Sequence, residues 1–300
     1  MPLELDQQLS QLQLYCRHKV DHLLSGHYTS AFKGQGLEFD EVRPYTPGDD
    51  VRTIDWNVTA RSGEVHIKRF IEERELNLML VVDASASFAW SSQAPGRQQI
   101  AAQLCGLLGN AALRSNDRIG LLRFNETLET YVPASKGRPH LMRCLAKLLA
   151  PIEPGQGTDL NQALTFLNQQ KMKKTLIVVI SDFFDLDNSQ TLQDNLAMLA
   201  QRHQVLAIAM DDQREQQLAE GGLIQLTDAE RGGSVWIDLD HAPVHHAFTQ
   251  RVHERQQQRQ RFFADLGIDL LIHPLAQDPA ESLLSFFQHR QSGTQGEEHG

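Results

Sequence analysis

The stretch Leu78-Met79-Leu80-Val81-Val82-Asp83-Ala84-Ser85-Ala86-Ser87 decides how this chain folds. Five apolar residues run without alternation and stop at a carboxylate followed by two hydroxyls. An apolar run this short, rich in β-branched residues, reads as a strand covered on both faces, as in a parallel sheet between helical layers. The same texture returns at 176–180, followed by Ser181-Asp182, and at 205–210. Amphipathic helical patterns separate these runs. One spans 97–115, with Ile100, Leu104, Leu107, Leu108 and Ala111 at helical spacing; others lie at 139–149, after Thr158, and at 190–201. A strand is expected at 118–124 with a hairpin partner at 127–132. A long polar helix at 243–265, a strand at 269–272 and a helix at 279–290 complete the pattern. Strand–helix alternation of this kind predicts an α/β fold, a mostly parallel Rossmann-like sheet flanked by helices.

Toward the N-terminus, Leu5, Leu9, Leu12, Tyr15, Val20, Leu23 and Leu24 keep mostly helical spacing up to Gly26, a C-cap residue. Residues 26–36 read as loop and 37–45 as extended chain. Pro47-Gly48-Asp49 marks a turn, and the partial alternation in 64–71 marks a strand. The expected organisation is a small helix-plus-strand subdomain at 1–75, the α/β domain at 76–290, and a disordered tail at 291–300.

Composition narrows the function. The 300 residues are 41% hydrophobic and 22% charged, enough to bury a globular core. Lys and Arg number 28 against 38 Asp and Glu, a net charge of −10, which makes the chain a poor partner for nucleic acid. Its longest apolar runs fall far short of the roughly 20 residues of a membrane-spanning helix, and no basic-then-apolar leader opens it. A cytoplasmic location is expected, with peripheral membrane association left open. Cys16, Cys105 and Cys144 are too few and too scattered for a disulfide framework. No CxxC is present, and all three sit in apolar helical patterns, so they read as core thiols. There is no GxxxxGK[ST] and no GxSxG, which excludes a P-loop ATPase and a hydrolase elbow. His18 and His22 read as a helix-surface pair, and the Arg/Gln-rich 251–261 stretch as a solvated helix face.

In open α/β sheets, ligands bind where loops leave the carboxyl ends of strands. Asp83, Ser85 and Ser87 follow one strand and Asp182 another. Thr158, in Gly155-Gln156-Gly157-Thr158-Asp159, opens a helix. Taken singly, Asp83 reads equally well as a turn or cap residue and Thr158 as a helix N-cap. Together they form a set of hard oxygen donors, suited to Mg²⁺ or Mn²⁺ rather than to zinc or copper.

At these residues the chain resembles the von Willebrand factor A fold, whose metal-ion-dependent adhesion site combines a DxSxS loop, a later Thr and a later Asp. The resemblance implies that Asp83, Ser85, Ser87, Thr158 and Asp182 hold Mg²⁺ (or Mn²⁺ or Ca²⁺) and that a partner's acidic side chain completes the shell. A second resemblance lies in Gly36-x-Glu38-Phe39-x-x-x-Arg43-x-Tyr45-x-x-Gly48-Asp49-Asp50-x-Arg52-x-Ile54-Asp55-Trp56, then Thr59-Ala60-Arg61. It is similar to a bacterial family catalogued as a domain of unknown function, number fifty-eight, whose members join this segment to a von Willebrand A domain. Many of those relatives carry transmembrane helices ahead of the signature, where this chain has one soluble-looking helix. The family's association with MoxR-type AAA+ ATPases implies such an ATPase, or its client, as partner.

Within the signature, Arg43, Arg52 and Arg61 face Glu38, Asp49, Asp50 and Asp55 as candidate bidentate ion pairs, and Trp56 is expected to anchor the turn in apolar surroundings. Tyr45 belongs to the same set. The segment is either a self-satisfied scaffold or a docking surface, and both remain open at this level. The function expected is a non-enzymatic, metal-dependent protein-binding module. Two alternatives stand beside it. One is metal-dependent phosphoryl transfer by Asp83, although Ser85 occupies the place of the usual second acid; the other is a structural interaction protein with an empty metal site.

Overall fold

The computed structural model describes residues 2–23, 28, 37–72, 76–92, 94–153, 157–184, 186, 190–217, 221–227 and 234–296. In chain order, helix α1 (Pro2–Leu23) precedes a hairpin of β1 (Leu37–Pro44) and β2 (His66–Glu72), with α2 (Trp56–Ser62) between its strands. Next come β3 (Asn77–Asp83), the single-turn α3 (Ala86–Ala89), α4 (Arg97–Arg114), β4 (Arg118–Phe124), β5 (Leu128–Ser135), α5 (Arg138–Leu148) and α6 (Leu160–Gln169). The chain continues through β6 (Thr175–Ser181), α7 (Gln190–Arg202), β7 (Gln204–Asp211), the short α8 (Gln213–Gln216) and a hairpin of β8 (Leu223–Thr227) and β9 (Ser234–Asp238). It closes with α9 (Ala242–Asp265), β10 (Asp269–Pro274) and α10 (Pro279–Gly296).

Six strands form the central sheet in the order β10-β7-β6-β3-β4-β5. Every neighbouring pair is parallel except β4–β5, the antiparallel hairpin at one edge. The side-chain period of two divides each strand between two cores. Leu78, Leu80 and Val82 of β3 join Leu104, Leu107, Leu108, Leu283 and Phe287 in one cluster, under α1, α4, α5 and α10. Met79 and Val81 join Leu164, Leu167, Leu196, Leu199, Phe262 and Phe263 in the other, under α6, α7 and α9. Burial on both faces is why these strands read as continuous apolar runs. β4 lies on one side of β3 and β6 on the other, so the chain changes direction across the sheet at β3. In open α/β sheets such a reversal is where ligands bind, and Asp83 sits at it, at the carboxyl end of β3.

The structure differs from the sequence reading in four places. Helix α1, grouped by sequence with the signature segment, packs on the main core through Leu12 and Cys16. α2 and the β8–β9 hairpin were not anticipated; α2 has no buried residue, so no apolar period marks it. Helix α10 runs to Gly296, into the segment expected to be a tail. The expected C-cap Gly26 and the 29–36 loop lie outside the described residues. Cys16, Cys105 and Cys144 are buried and free, and burial pushes the Cys16 thiol up to about 12 and that of Cys144 to about 11.

Candidate metal centre

Asp83 is the last residue of β3, and its carboxylate gathers three segments. Oδ1 accepts the Ser85 backbone N–H at 2.8 Å. Oδ2 accepts the Ser181 hydroxyl at 2.7 Å, from the end of β6, and the Thr158 hydroxyl at 3.3 Å, from the loop entering α6. Ser85 caps α3, its Oγ accepting from the Phe88 backbone N–H at 3.3 Å, and lies 3.1 Å from Ser87 Oγ. Thr158 is free for this contact because Asp159, not Thr158, is the N-cap of α6 and accepts from the Gln162 backbone N–H. The Asp159 backbone N–H donates to Asn125 O beyond β4 at 2.9 Å, which ties that loop to the same sheet edge.

Asp182 follows β6, and its Oδ1 accepts the Phe184 backbone N–H at 3.0 Å. Burial raises the Asp83 carboxyl above its ordinary range, against the hydrogen bonds from Ser181 and Ser85 that lower it. Asp182 is raised as well, first by burial and then by the charge of Asp83, with Arg97 pulling the other way. Two buried carboxylates that disfavour each other's charge, with hydroxyls and no thiolate beside them, are a donor set that a hard divalent cation satisfies. Among the described residues there is no cluster of three or more His, Cys, Asp or Glu side chains arranged to hold a metal, so any cation here depends on hydroxyl ligands. No histidine bonds to the hydroxyls of Ser85 or Ser87 among the described residues.

Sequence reasoning missed the residues that brace this edge. Ser181, adjacent to Asp182, donates to Asp83 directly. The side chain of Arg97 is fully buried; it donates to Ser87 O at 3.3 Å and Trp90 O at 2.9 Å and pairs with Glu215 of α8. Arg259, from the helix read as solvated, is buried; it donates to Asp182 O at 3.2 Å and pairs with Asp211 at the end of β7. Asp212 accepts from the Ser92 backbone N–H and hydroxyl. An Arg in a polar helix gives no local signal of burial. Only the packing of α9 over β6 and β7 reveals the role of Arg259.

The signature residues divide. Arg43 forks onto Asp49 with bonds of 2.9 and 2.7 Å, as expected of a bidentate pair, and that pairing holds the Asp49 carboxyl well below its ordinary range. Asp50 and Asp55 are helix caps, accepting from the backbone N–H of Arg52 and from those of Asn57 and Val58. Arg52 and Arg61 are exposed and pair with no acid among the described residues. The Tyr45 backbone N–H donates to Val65 O. Glu38 pairs in backbone register with Ile71, but its side chain lies outside the described residues. Trp56 contradicts its expected role: its side chain is 70% exposed, because it opens a helix held by caps rather than by an apolar face.

Residues 41–259 match the family described as "Protein of unknown function DUF58". The chain is 36% identical over 228 residues to "Uncharacterized protein Rv1480" of Mycobacterium tuberculosis, an alignment covering 75% of this chain and 70% of the relative. It is also similar to the crystal structure of the conserved hypothetical protein BatB from Bacteroides thetaiotaomicron, at 15% identity and a TM-score of 0.45. That likeness covers 72% of this chain and 99% of BatB. The SpRpn10 VWA domain is a further likeness, at 10% identity and a TM-score of 0.44, covering 70% of this chain and 93% of that domain. No helix among the described residues is long and apolar enough to cross a membrane.

Proposed function

This chain belongs to the DUF58 family, and we propose that it is a non-enzymatic protein-binding module that grips an acidic residue of a partner through a divalent cation. The von Willebrand A-like domain supplies the site, with Asp83, Ser85, Ser87, Thr158 and Asp182 as the residues that would hold the ion. A bound cation supplies an electrophilic point with a position open to an incoming carboxylate. The protein's part is to hold the donors in place. Ser85 is fixed by its capping bond and by its backbone N–H on Asp83, and Thr158 by the loop that Asp159 caps. The observation that carries the proposal is the carboxylate of Asp83, on which hydroxyls from two other loops converge. Mg²⁺ is the ion we assign, with Mn²⁺ and Ca²⁺ sharing its oxygen chemistry. For the partner we propose a MoxR-type AAA+ ATPase or its client, the pair acting in chaperone-like assembly or remodelling, as the family resemblance implies.

Calorimetric titration with Mg²⁺ tests the site. The wild-type chain is expected to give saturable heat and Asp83→Ala none, and a cation at about 100 times its Kd should add about 2.7 kcal/mol to the stability of wild type only. Equal heats from both chains would remove the proposal. Affinity capture with and without chelator then tests the partner, which is expected to be lost when the chelator is present.

A further inference from the structure

We propose that the partner segment carries an apolar side chain beside its acidic residue, and that Trp90 and Phe184 receive it, an inference resting on the cation-dependent grip above. All three tryptophans of the chain are exposed: Trp56 at 70%, Trp90 at 47% and Trp236 at 61%; Phe184 is 45% exposed. Strands β3, β6 and β7 are parallel neighbours, so their carboxyl ends share one edge of the sheet. Trp90 and Phe184 leave from that edge on the segments after β3 and β6, as do Ser85, Ser87 and Asp182.

Trp90 and Phe184 are also fixed to the proposed ligands through the backbone. The Trp90 backbone N–H donates to Ser87 O at 3.2 Å, and the buried guanidinium of Arg97 donates to the carbonyls of both residues. The Phe184 backbone N–H donates to Asp182 Oδ1. Its neighbour Phe183 takes φ = +48° and drops into the core, edge-on to Phe263 at 5.1 Å, which turns Phe184 outward. The Arg255 guanidinium sits 3.9 Å over the Phe184 ring centroid. Exposed aromatic rings on a braced backbone are the usual centres of binding energy in protein interfaces, because they bury much area for little lost entropy.

Charge sets the rest of the partner's chemistry. Of the acids at and after the end of β7, Asp211 pairs with Arg259 and Glu215 with Arg97, and Asp212 accepts hydrogen bonds from Ser92. Asp83 and Asp182 have no arginine or lysine bonded to their carboxylates among the described residues, so a cation held by them supplies the positive point that a partner's carboxylate meets. A carboxylate with an apolar neighbour satisfies both the ion and the rings.

A random peptide library displayed on phage, selected on the immobilised full chain in Mg²⁺ and eluted with chelator, tests this. The enriched peptides are expected to carry Asp or Glu within about two positions of Trp, Phe, Leu or Ile. A synthetic peptide from that pool should bind Trp90→Ala and Phe184→Ala at least about tenfold more weakly, with Mg²⁺ heats unchanged, and Trp56→Ala within about twofold of wild type. No enrichment, acids without apolar neighbours, unchanged affinity in both variants, or an equal loss in Trp56→Ala overturns the inference. If Mg²⁺ gives no heat while the two aromatic variants still lose affinity, the cation-dependent grip fails and the aromatic surface stands.

Discussion

Phe183 holds φ at +48°, a left-handed conformation that costs a bulky residue about 1 kcal/mol or more. The backbone is kept there by the Phe183 N–H donating to Ser181 Oγ and by the ring packing against Phe263. The result is a chain reversal that leaves Asp182 and Phe184 on the site edge. His273 shows a different residue-scale cost. It lies fully buried at the end of β10, its Nδ1 2.8 Å from Ser282 Oγ, with no partner for Nε2 among the described residues. Burial holds its pKa down at about 4 from an ordinary 6.5, with Asp278 and Asp211 pulling weakly upward. Below pH 6.5 the unfolded chain takes a proton that the folded chain refuses. Stability is therefore expected to fall as pH drops from about 6.5 to about 4, by up to about 3 kcal/mol from this residue. Urea unfolding of wild type and His273→Gln across that range checks it. The variant should show a shallower slope, and identical slopes would refute the assignment.

At the scale of elements, α9 is held to the sheet by Phe262 and Phe263 in the core and by the buried guanidinium of Arg259. Arg259 bridges the carbonyl after β6 and the carboxylate that ends β7. Replacing it with Met removes the counter-charge and leaves the Asp211 carboxylate hydrogen-bonded to the side-chain amide of Gln216. Arg259→Met is expected to cost about 3 kcal/mol in chemical denaturation, and adding Asp211→Leu to recover much of that loss, since the expense lies in the stranded charge. A loss under about 1 kcal/mol in the single variant would show the pair to be dispensable. The signature elements are held differently. The Arg43–Asp49 fork and the Asp50 and Asp55 caps order a hairpin tip whose apolar Val51 and Trp56 stay exposed.

Across the whole molecule, α1 and the signature hairpin have unequal weight. Helix α1 seats Leu12 and Cys16 in the core, and Gly106 of α4 makes room for it, since a Cβ there would lie 2.7 Å from Cys16 Sγ. Tyr15 and Lys19 bond Asp278 ahead of α10. Among the described side chains of the hairpin, those of 42–67, none belongs to either core cluster. Removal of residues 1–23 is expected to cost about 4 kcal/mol, or about 10 °C in Tm, from lost apolar burial. Replacing 45–65 with a short Gly/Ser linker should move Tm by about 3 °C or less. Scanning calorimetry of the two variants decides, and the opposite ranking would place the signature segment in the stabilising core.

The sequence by itself determined the α/β alternation, because doubly covered strands must be apolar throughout, and 78–82, 176–180 and 205–210 are. It also marked Asp83, Ser85, Thr158 and Asp182 as loop residues at strand ends or helix starts, since such positions follow from element order. Tertiary structure alone decided that Thr158 and Ser181 meet on Asp83, that Asp159 takes the cap and frees Thr158, and that Trp56 faces solvent. It alone buried Arg97 and Arg259 as braces. Periodicity reports which face of an element is apolar, but a buried charge is set by what the neighbouring element brings to it, and that partner lies far along the chain.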